Sequence, residues 1–338
     1  MGRGDGPSQP VASMFRTVRL RGAAAAVGVR APILVLCAAA FLGFAVAIPG
    51  FASAANVTGI LIAALPLLLL AAGQTFVLIS AGIDLSATST VGLASVIGGL
   101  VMHGEGGLVA GEALAPAAAL TTMLATGVLV GLVNGVCVGA LRMPAFMVTL
   151  TTGMFAGGLA VLLVRLAANT ETMFNLPQAF VALGAVPAAA GGIAFGGAIS
   201  AAAVLERTRY GLMLRAVGYN PLAARVSGVP VARVTVIAYV FSGISAALAA
   251  VLLTGSLETA SPSHGRQLLL DVIGATVIGG TSLAGGRGSV WGTAVGVLFL
   301  AVLGNGLTLL NLSDFVITIV KGLLILVAAI ADTAGRGR

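Results

Sequence analysis

Charged residues are scarce in this sequence. Asp, Glu, Lys and Arg together make up 8% of the 338 residues, whereas hydrophobic residues make up 59%. A water-soluble domain carries a charged fraction of about 25%, so this chain lacks the polar groups needed to cover itself in water. Its composition therefore excludes an ordinary soluble domain and predicts that lipid is its solvent.

Residues that carry out catalysis or bind metals are also few. The two cysteines, Cys37 and Cys137, both lie in apolar runs, where we interpret them as small buried side chains rather than a disulfide or a metal site. The two histidines, His103 and His264, are isolated in predicted outer loops, where we expect solvated loop residues. No Ser-His-Asp, Cys-His or metal-spaced cluster appears in the sequence. We therefore predict no catalytic residue and no metal site.

The sequence has a single lysine, Lys321. Gly322 follows it, but no GxxxxGK[ST] phosphate loop is present, and that loop is what cradles the phosphates of ATP in many ATPases. The chain is therefore not expected to hydrolyse ATP or to hold any cofactor itself.

Long apolar runs fill most of the remaining sequence. Ten segments approach the roughly 20 residues that a membrane-spanning helix needs. We predict an all-α, polytopic transmembrane helix bundle over residues 31–332, with spans at 31–50, 57–80, 85–102, 114–140, 145–165, 187–205, 234–254, 268–284, 289–310 and 315–332.

The ends of the chain differ from this apolar domain. Residues 1–30 are basic and contain Gly and Pro, as is typical of a disordered cytoplasmic tail. An alternative is a signal peptide cleaved after the small residues Ala52-Ser53-Ala54, although the apolar run that precedes them is long enough for a true span. Residues 333–338 are predicted to be a short cytoplasmic tail.

The distribution of arginine predicts the orientation. With a cytoplasmic N-terminus and ten spans, only Arg165 and Arg266 fall outside, and the C-terminus is cytoplasmic as well. This asymmetry follows the positive-inside rule. It accounts for the net charge of +7 through membrane orientation, so no nucleic-acid partner is needed to explain the charge.

Four glycines recur every fourth residue in the fourth segment, at Gly127, Gly131, Gly135 and Gly139. On a helix they form one flat stripe that lets another backbone approach closely. The stripe is consistent either with packing inside the subunit or with an interface between subunits.

The one long inside loop, residues 206–233, contains the pattern of a short helix. Asn220 is a good N-cap, Pro221 suits the first helical position, and Gly228 provides a C-terminal stop. Such a short helix is unstable alone in water. It therefore needs a partner surface, either the lipid head groups or another protein.

Three motifs occur in order along the chain: GQTFVLISAGIDLS at 73–86, GYNPLAARVSGV at 218–229, and GGTSLAGGRGSVWG at 279–292. Together with NGLTLLNLS at 305–313 and with Lys321 and Asp332, they resemble the membrane permease of a bacterial ribose-type ABC sugar importer. The resemblance covers nearly the whole chain after its basic tail. It implies a permease domain at 31–332 in the inner (plasma) membrane.

The resemblance also implies partners. Two separate ATP-binding subunits would bind ATP and Mg, a substrate-binding protein would deliver the solute outside the cytoplasm, and a second permease copy or a paralogue would complete the pathway. Residues 220–228 resemble the family's coupling helix, which seats in a groove of the ATPase. One common form of that motif carries Glu directly after the Asn, whereas Pro221 and Leu222 follow here. The resemblance therefore implies polar contacts from Arg215, Arg225 and Ser227, on a coupling segment that also includes Asn220, Pro221 and Gly228.

Three further sets of residues are candidates for function. Asp84 and Gly82 lie where the second predicted span ends, and Asp84 is predicted to cap the third helix. The alternatives for Asp84 are a role in gating or between subunits, or a direct contact with the substrate. Gly285, Gly286 and Arg287 are predicted to form a flexible basic turn. Polar residues in or beside interrupted spans are candidates either for the translocation path or for bonds to a neighbouring helix: Gln74, Thr75, Thr281, Ser282 and Asn305.

The favoured interpretation is a permease for a sugar or sugar-like solute. A permease for another small polar solute, such as a nucleoside or a signalling furanone, is the alternative within the same family. A stand-alone secondary transporter would need a carboxylate pair or an ion site inside the membrane, whereas the carboxylates of this sequence occur singly and near predicted helix ends. A membrane scaffold without transport is disfavoured by the interrupted helices.

Overall fold

The computed structural model describes residues 33–103, 107–109, 114–168 and 171–334. The basic tail predicted at 1–30 and residues 335–338 of the predicted C-terminal tail lie outside the described residues. Within the described part the chain is helical, and its one β-type pairing is an isolated bridge between Met173 and Ala260.

The helices follow one another with short connections. In chain order they are α1 (Ile33–Ala47), α2 (Ala54–Ile79), α3 (Ala87–Met102), α4 (Ala115–Gly135), α5 (Ala145–Ala168), α6 (Gln178–Ala185), α7 (Pro187–Arg207), α8 (Arg209–Tyr219), α9 (Pro221–Val226), α10 (Val231–Ser256), α11 (Leu269–Ile278), α12 (Val290–Leu309) and α13 (Asp314–Ala334). A π-helical turn extends α4, and a 3₁₀ turn precedes α11.

Among the described residues, six helices are long and apolar enough to cross a membrane: α2, α4 with its π-helical turn, α5, α7, α10 and α12. Two shorter apolar helices, α1 and α3, accompany them. The all-α, polytopic architecture is thereby confirmed for the described residues. The count of ten spans and the cytoplasmic ends stay predictions.

One predicted span is interrupted in the structure. The segment predicted at 268–284 is helical only until Ile278, because Gly279 and Gly280 follow and Gly280 adopts a positive φ of 87°. At 1.5 Å per residue, α11 is about 15 Å long, half of the bilayer core. The backbone from residue 279 to 289 is non-helical, so this segment is an interrupted helix.

The core is built around α2. Every residue from Ala64 to Ile79 is buried, because α7, α10, α11 and α12 pack around this helix. Helix α10 also packs on α4, and α3 lies against α4, α5 and α10. At the edge of the bundle, α13 packs on α11 and α12.

The glycine stripe of α4 packs inside the subunit. A Cβ added at Gly127 or Gly131 would collide with backbone atoms of α10, including the carbonyl groups of Gly243 and Tyr239. These glycines therefore serve close contact between α4 and α10, which is the first of the two alternatives that the sequence left open.

Both histidines are buried, and the expectation that they are solvated is wrong. His103 and His264 are 5% and 7% exposed. The Nδ1 atom of His264 lies 3.1 Å from the Ser95 hydroxyl, which also pairs with Thr254 at 2.7 Å. The loop after α10 folds back onto α3, and this hydroxyl–imidazole chain holds it there.

The two cysteines are free thiols in different surroundings. Cys37 of α1 is buried, as the sequence predicts. Cys137 lies in the π-helical turn that extends α4 and is only partly buried, as are the other residues of this turn, none of which is buried. The expectation of a fully buried side chain is therefore wrong for Cys137.

Candidate functional site

The three sequence motifs meet at one place in the structure. The N–H of Gly286, from the third motif, donates to the carbonyl of Ile79 in the first motif at 2.8 Å. Gly218, which opens the second motif, lies so close that an added Cβ would be 2.5 Å from the Gly286 nitrogen. We call the set formed by residues 79–86, 215–219 and 282–288 the motif junction.

The turn between α11 and α12 depends on glycine at two positions. Gly285 and Gly286 have φ values of 86° and 76°, in the left-handed region that glycine adopts without steric cost. The N–H of Ser282 donates to the carbonyl of Arg287 at 2.9 Å and closes the turn. The Arg287 side chain is exposed.

Arg215 fastens this turn to α8. Its guanidinium donates to the carbonyl of Gly288 at 2.9 Å. Burial lowers the pKa of Arg215, and the negative charge of Glu206 opposes that shift, so the side chain stays protonated as arginines in proteins do. Arg215 thus makes a hydrogen bond inside its own chain, and its predicted contact with an ATPase stays a prediction.

The carboxylate of Asp84 is enclosed in the junction and is 2% exposed. One oxygen accepts the N–H and the hydroxyl of Ser86 at 2.9 and 2.6 Å, and the other accepts the Ser242 hydroxyl at 2.7 Å. Charge-assisted bonds of this length are strong and offset much of the cost of burial. Ser86 holds the N-cap position of α3, so Asp84 fixes the capping residue and ties the turn before α3 to α10.

Three neighbouring side chains form hydrogen bonds with the backbone of the turn before α3. The amide of Gln74, oriented to match the groups around it, pairs with the backbone C=O and N–H of Asp84 at 3.2 and 3.3 Å. The hydroxyls of Tyr239 and Thr149 both donate to the carbonyl of Ile83 at 3.3 Å. A Cβ on Gly82 would lie 2.6 Å from the Tyr239 hydroxyl oxygen, so a larger residue there would displace this hydroxyl.

The five translocation-path candidates separate into two groups. Thr75 and Thr281 are buried and both lie within reach of the Thr293 hydroxyl, at 2.8 and 3.5 Å. Gln74 and Ser282 are also buried. Asn305 lies elsewhere, in the last turns of α12, where it lines a cavity and accepts a bond from Asn56 at 3.1 Å.

Helix α9 projects beside the junction. The Asn220 side chain accepts from the N–H groups of Leu222 and Ala223, both at 3.0 Å, and Gly228 ends the helix with φ of 81°. These are the cap and the stop that the sequence predicts. Leu222 and Val226, four residues apart on one face, are 72% and 90% exposed.

One polar pair was not predicted from the sequence. Lys321 of α13 donates to Asp271 of α11 at 2.7 Å, and their side chains are 22% and 15% exposed. Ionisable residues inside apolar segments are uncommon and usually functional. Their occurrence in the segments 268–284 and 315–332 was the signal that could have identified them.

Comparison with known proteins identifies the family. The family model described as "Branched-chain amino acid transport system / permease component" matches residues 56–329. The chain belongs to this permease family. The matched region contains α3 to α12, nearly all of α2 and most of α13, and with them the motif junction, α9 and the Asp271–Lys321 pair.

Individual relatives of the permease are named for sugars. It is 35% identical to the ribose import permease protein RbsC of Bacillus subtilis, over 78% of this chain and 80% of the relative. It is 33% identical to the L-arabinose transport system permease protein AraH of Escherichia coli, over 89% of both chains. It is 32% identical to the galactose/methyl galactoside import permease protein MglC of Salmonella typhimurium, over 84% and 88%.

These matches confirm the resemblance to ribose-type importer permeases. The permease is a multi-pass protein of the bacterial inner membrane, in agreement with its membrane-length helices. No solved structure matches the chain.

Proposed function

We propose that the permease forms the membrane pathway of an ABC importer that moves a sugar or sugar-like solute into the cell. The observation that carries this proposal is that relatives matching most of the chain are named for ribose, L-arabinose and galactose. All three are neutral polyhydroxyl molecules of similar size.

ATP hydrolysis would take place in two partner subunits that bind ATP and Mg. Helix α9 is the surface proposed to receive them. Within this fully described helix the one buried residue is Ala224, and the exposed Leu222 and Val226 present apolar area that water disfavours. Arg225 and Ser227 are exposed beside them and supply polar contacts at the rim of the docking surface.

The hydrogen bond from Arg215 to the carbonyl of Gly288 connects the docking surface on α9 to the motif junction. Helix α8 carries Arg215 and ends directly before the N-cap of α9. A displacement of α9 would therefore move the motif junction, which joins the interrupted segment after α11 to the end of the central helix α2. Movement at this junction is how we propose that ATP-driven docking opens and closes the path.

The membrane topology belongs to the same proposal. Ten crossings with both termini in the cytoplasm put α9 and the motif junction on the cytoplasmic side, and they put the start of α11 and the end of α12 on the outer side. A substrate-binding protein would deliver the solute at that outer side, and a second permease copy or a paralogue would complete the path.

Uptake in cells tests the proposal. A strain lacking the gene is supplied with the wild-type permease, and entry of labelled ribose, arabinose and galactose is measured. Uptake of at least one of these sugars should be restored, and absence of all three would contradict the sugar assignment.

Docking is tested in the same strain with the double variant Leu222→Asp/Val226→Asp. Leu257→Asp, at an exposed leucine after α10, serves as the matched control. The double variant should lose both uptake and co-purification of the ATPase, whereas the control should keep both. Full co-purification with the double variant would show that α9 rests on lipid rather than on the ATPase.

A further inference from the structure

A groove of about 270 Å³ opens between α2, α11, α12 and α13. Its walls are mostly apolar, with side chains such as Ile60, Leu67 and Leu300. The polar groups of the groove come from four side chains: Asp271, Lys321, Asn305 and Thr308. A mostly apolar cavity with a few converging polar groups is the usual form of a small-molecule site.

The groove lies within the first or last turns of α11, α12 and α13. Lys321 is seven residues from the start of α13, about 10 Å along the axis, and Asn305 is four residues before the end of α12. Asp271 is in the first turn of α11, the interrupted helix. Half-helices of this kind commonly frame the binding sites of transporters.

Stability alone is a poor explanation for the Asp271–Lys321 pair. Partly buried ion pairs are often no more stable than well-packed apolar side chains of similar volume. Keeping two charges inside an apolar segment has a cost, so the pair is better explained by a ligand that uses it.

The chemistry of the groove suits hydroxyl groups. An ammonium has three N–H donors and a carboxylate has two acceptor oxygens, so the 2.7 Å bond between them uses only part of what either offers. Asn56 donates to the side-chain oxygen of Asn305. The NH₂ group of Asn305 can therefore donate to a ligand. A sugar hydroxyl both donates and accepts, whereas an ion would find the opposite charge already balanced.

We propose that this groove binds one ring of a neutral polyhydroxyl solute through Asp271, Lys321 and Asn305. The proposal rests on the proposed function and names the place where the solute is held. The groove volume of about 270 Å³ is just below the range for small-molecule pockets, about 300–1,000 Å³. That size suits a single sugar ring rather than an oligosaccharide.

Protection of an introduced cysteine tests the site directly. Thr308→Cys is made in a purified permease whose native cysteines carry the changes Cys37→Ala and Cys137→Ala. The rate of its modification by a small methanethiosulfonate reagent is measured with ribose, arabinose or galactose, and with betaine at equal osmolarity. Leu270→Cys, at an exposed position beside Asp271 that does not line the groove, is the matched control.

At least one sugar should slow modification at position 308 several-fold and leave position 270 unchanged, and betaine should slow neither. Adding Asp271→Asn/Lys321→Gln, which removes both charges together, should abolish the protection without unfolding the protein. Should this double variant not fold, Asn305→Ala in the intact pair should weaken the protection. Equal rates with and without sugar, or full protection after removal of these groups, would overturn the proposal.

This result is separable from the test of transport. If cells take up sugar but sugar does not protect Thr308→Cys in the purified permease, only the proposed binding site in the groove is contradicted. Sugar protection in a permease that transports none of the three sugars would contradict the proposed function and leave the binding site standing.

Discussion

The N–H of Gly286 donates to the carbonyl of Ile79 at 2.8 Å, and this bond joins two segments more than 200 residues apart in the chain. Ile79 is the last residue of the central helix α2, so no N–H group of that helix can donate to its carbonyl. The interrupted segment after α11 thus supplies the hydrogen-bond donor for the last carbonyl of α2. The closeness of Gly218 to both makes the motif junction a three-way contact of backbones.

Substitution of Gly218 by Ala should destabilise the permease. The new methyl group would meet the Ile79 carbonyl and the Gly286 nitrogen, which are backbone atoms with little freedom to move. A loss of about 1–3 kcal/mol, typical of overpacking, should appear as a lower thermal unfolding midpoint in detergent. Gly192→Ala on α7, where nothing lies within 4 Å of the added Cβ, is the control, and equal midpoints for the two variants would contradict the account.

Removal of the Asn220 cap should weaken coupling. Asn220→Ala eliminates both bonds to the first turn of α9 and should cost this helix about 1 kcal/mol. Asn220→Asp keeps an acceptor oxygen at the same place, so it should retain the helix. ATPase co-purification and sugar uptake should fall for Ala and remain near wild type for Asp, and the same loss in both variants would show that the cap is not the cause.

Cysteine accessibility tests the topology. In the permease without its native cysteines, Arg287→Cys should react with a membrane-impermeant reagent only from the cytoplasmic side, and Arg266→Cys only from outside. Both side chains are exposed, so burial does not confuse the result. Reaction of position 287 from the outside would contradict the proposed orientation in the membrane.

Acid should destabilise the folded permease through His264. Burial lowers the pKa of this imidazole to about 4, whereas an unfolded histidine titrates near about 6.5. As the pH falls between these values the unfolded state takes up a proton that the folded state does not. The contribution of His264 to stability is therefore complete above about pH 6.5 and is lost progressively toward pH 4, by on the order of 3 kcal/mol in total.

The variant His264→Gln isolates that effect. Glutamine does not titrate, so the decrease in the thermal unfolding midpoint between neutral and mildly acidic pH should be smaller than in the wild type. An identical decrease in both proteins would place the acid sensitivity at another group.

Prediction from sequence succeeded where the signal is local. The predicted segments 234–254 and 289–310 agree with α10 and α12 to within three residues, because length and hydropathy alone define such spans. The α9 helix followed from Asn220, Pro221 and Gly228, each of which acts on its immediate neighbours. Helix α8 was missed because arginine and glycine interrupt its apolar residues, so that its segment was assigned to a loop.

Contacts between distant segments could not be predicted. Nothing in the order of residues indicates that Arg215 bonds to Gly288, since that bond depends on how α8 packs against the turn after α11. Asp271 and Lys321 are 50 residues apart, and only the packing of α13 on α11 brings them together. Burial of His264 likewise depends on a loop that folds back onto α3.

ATP-dependent uptake into proteoliposomes tests the central claim most directly. The permease is reconstituted with its ATPase and its substrate-binding protein, and entry of a labelled sugar is measured with ATP or with an imposed ion gradient. Uptake should require ATP, the ATPase and the binding protein, and a gradient without ATP should give none. Uptake by the permease alone under an ion gradient would contradict this account and would show a secondary transporter.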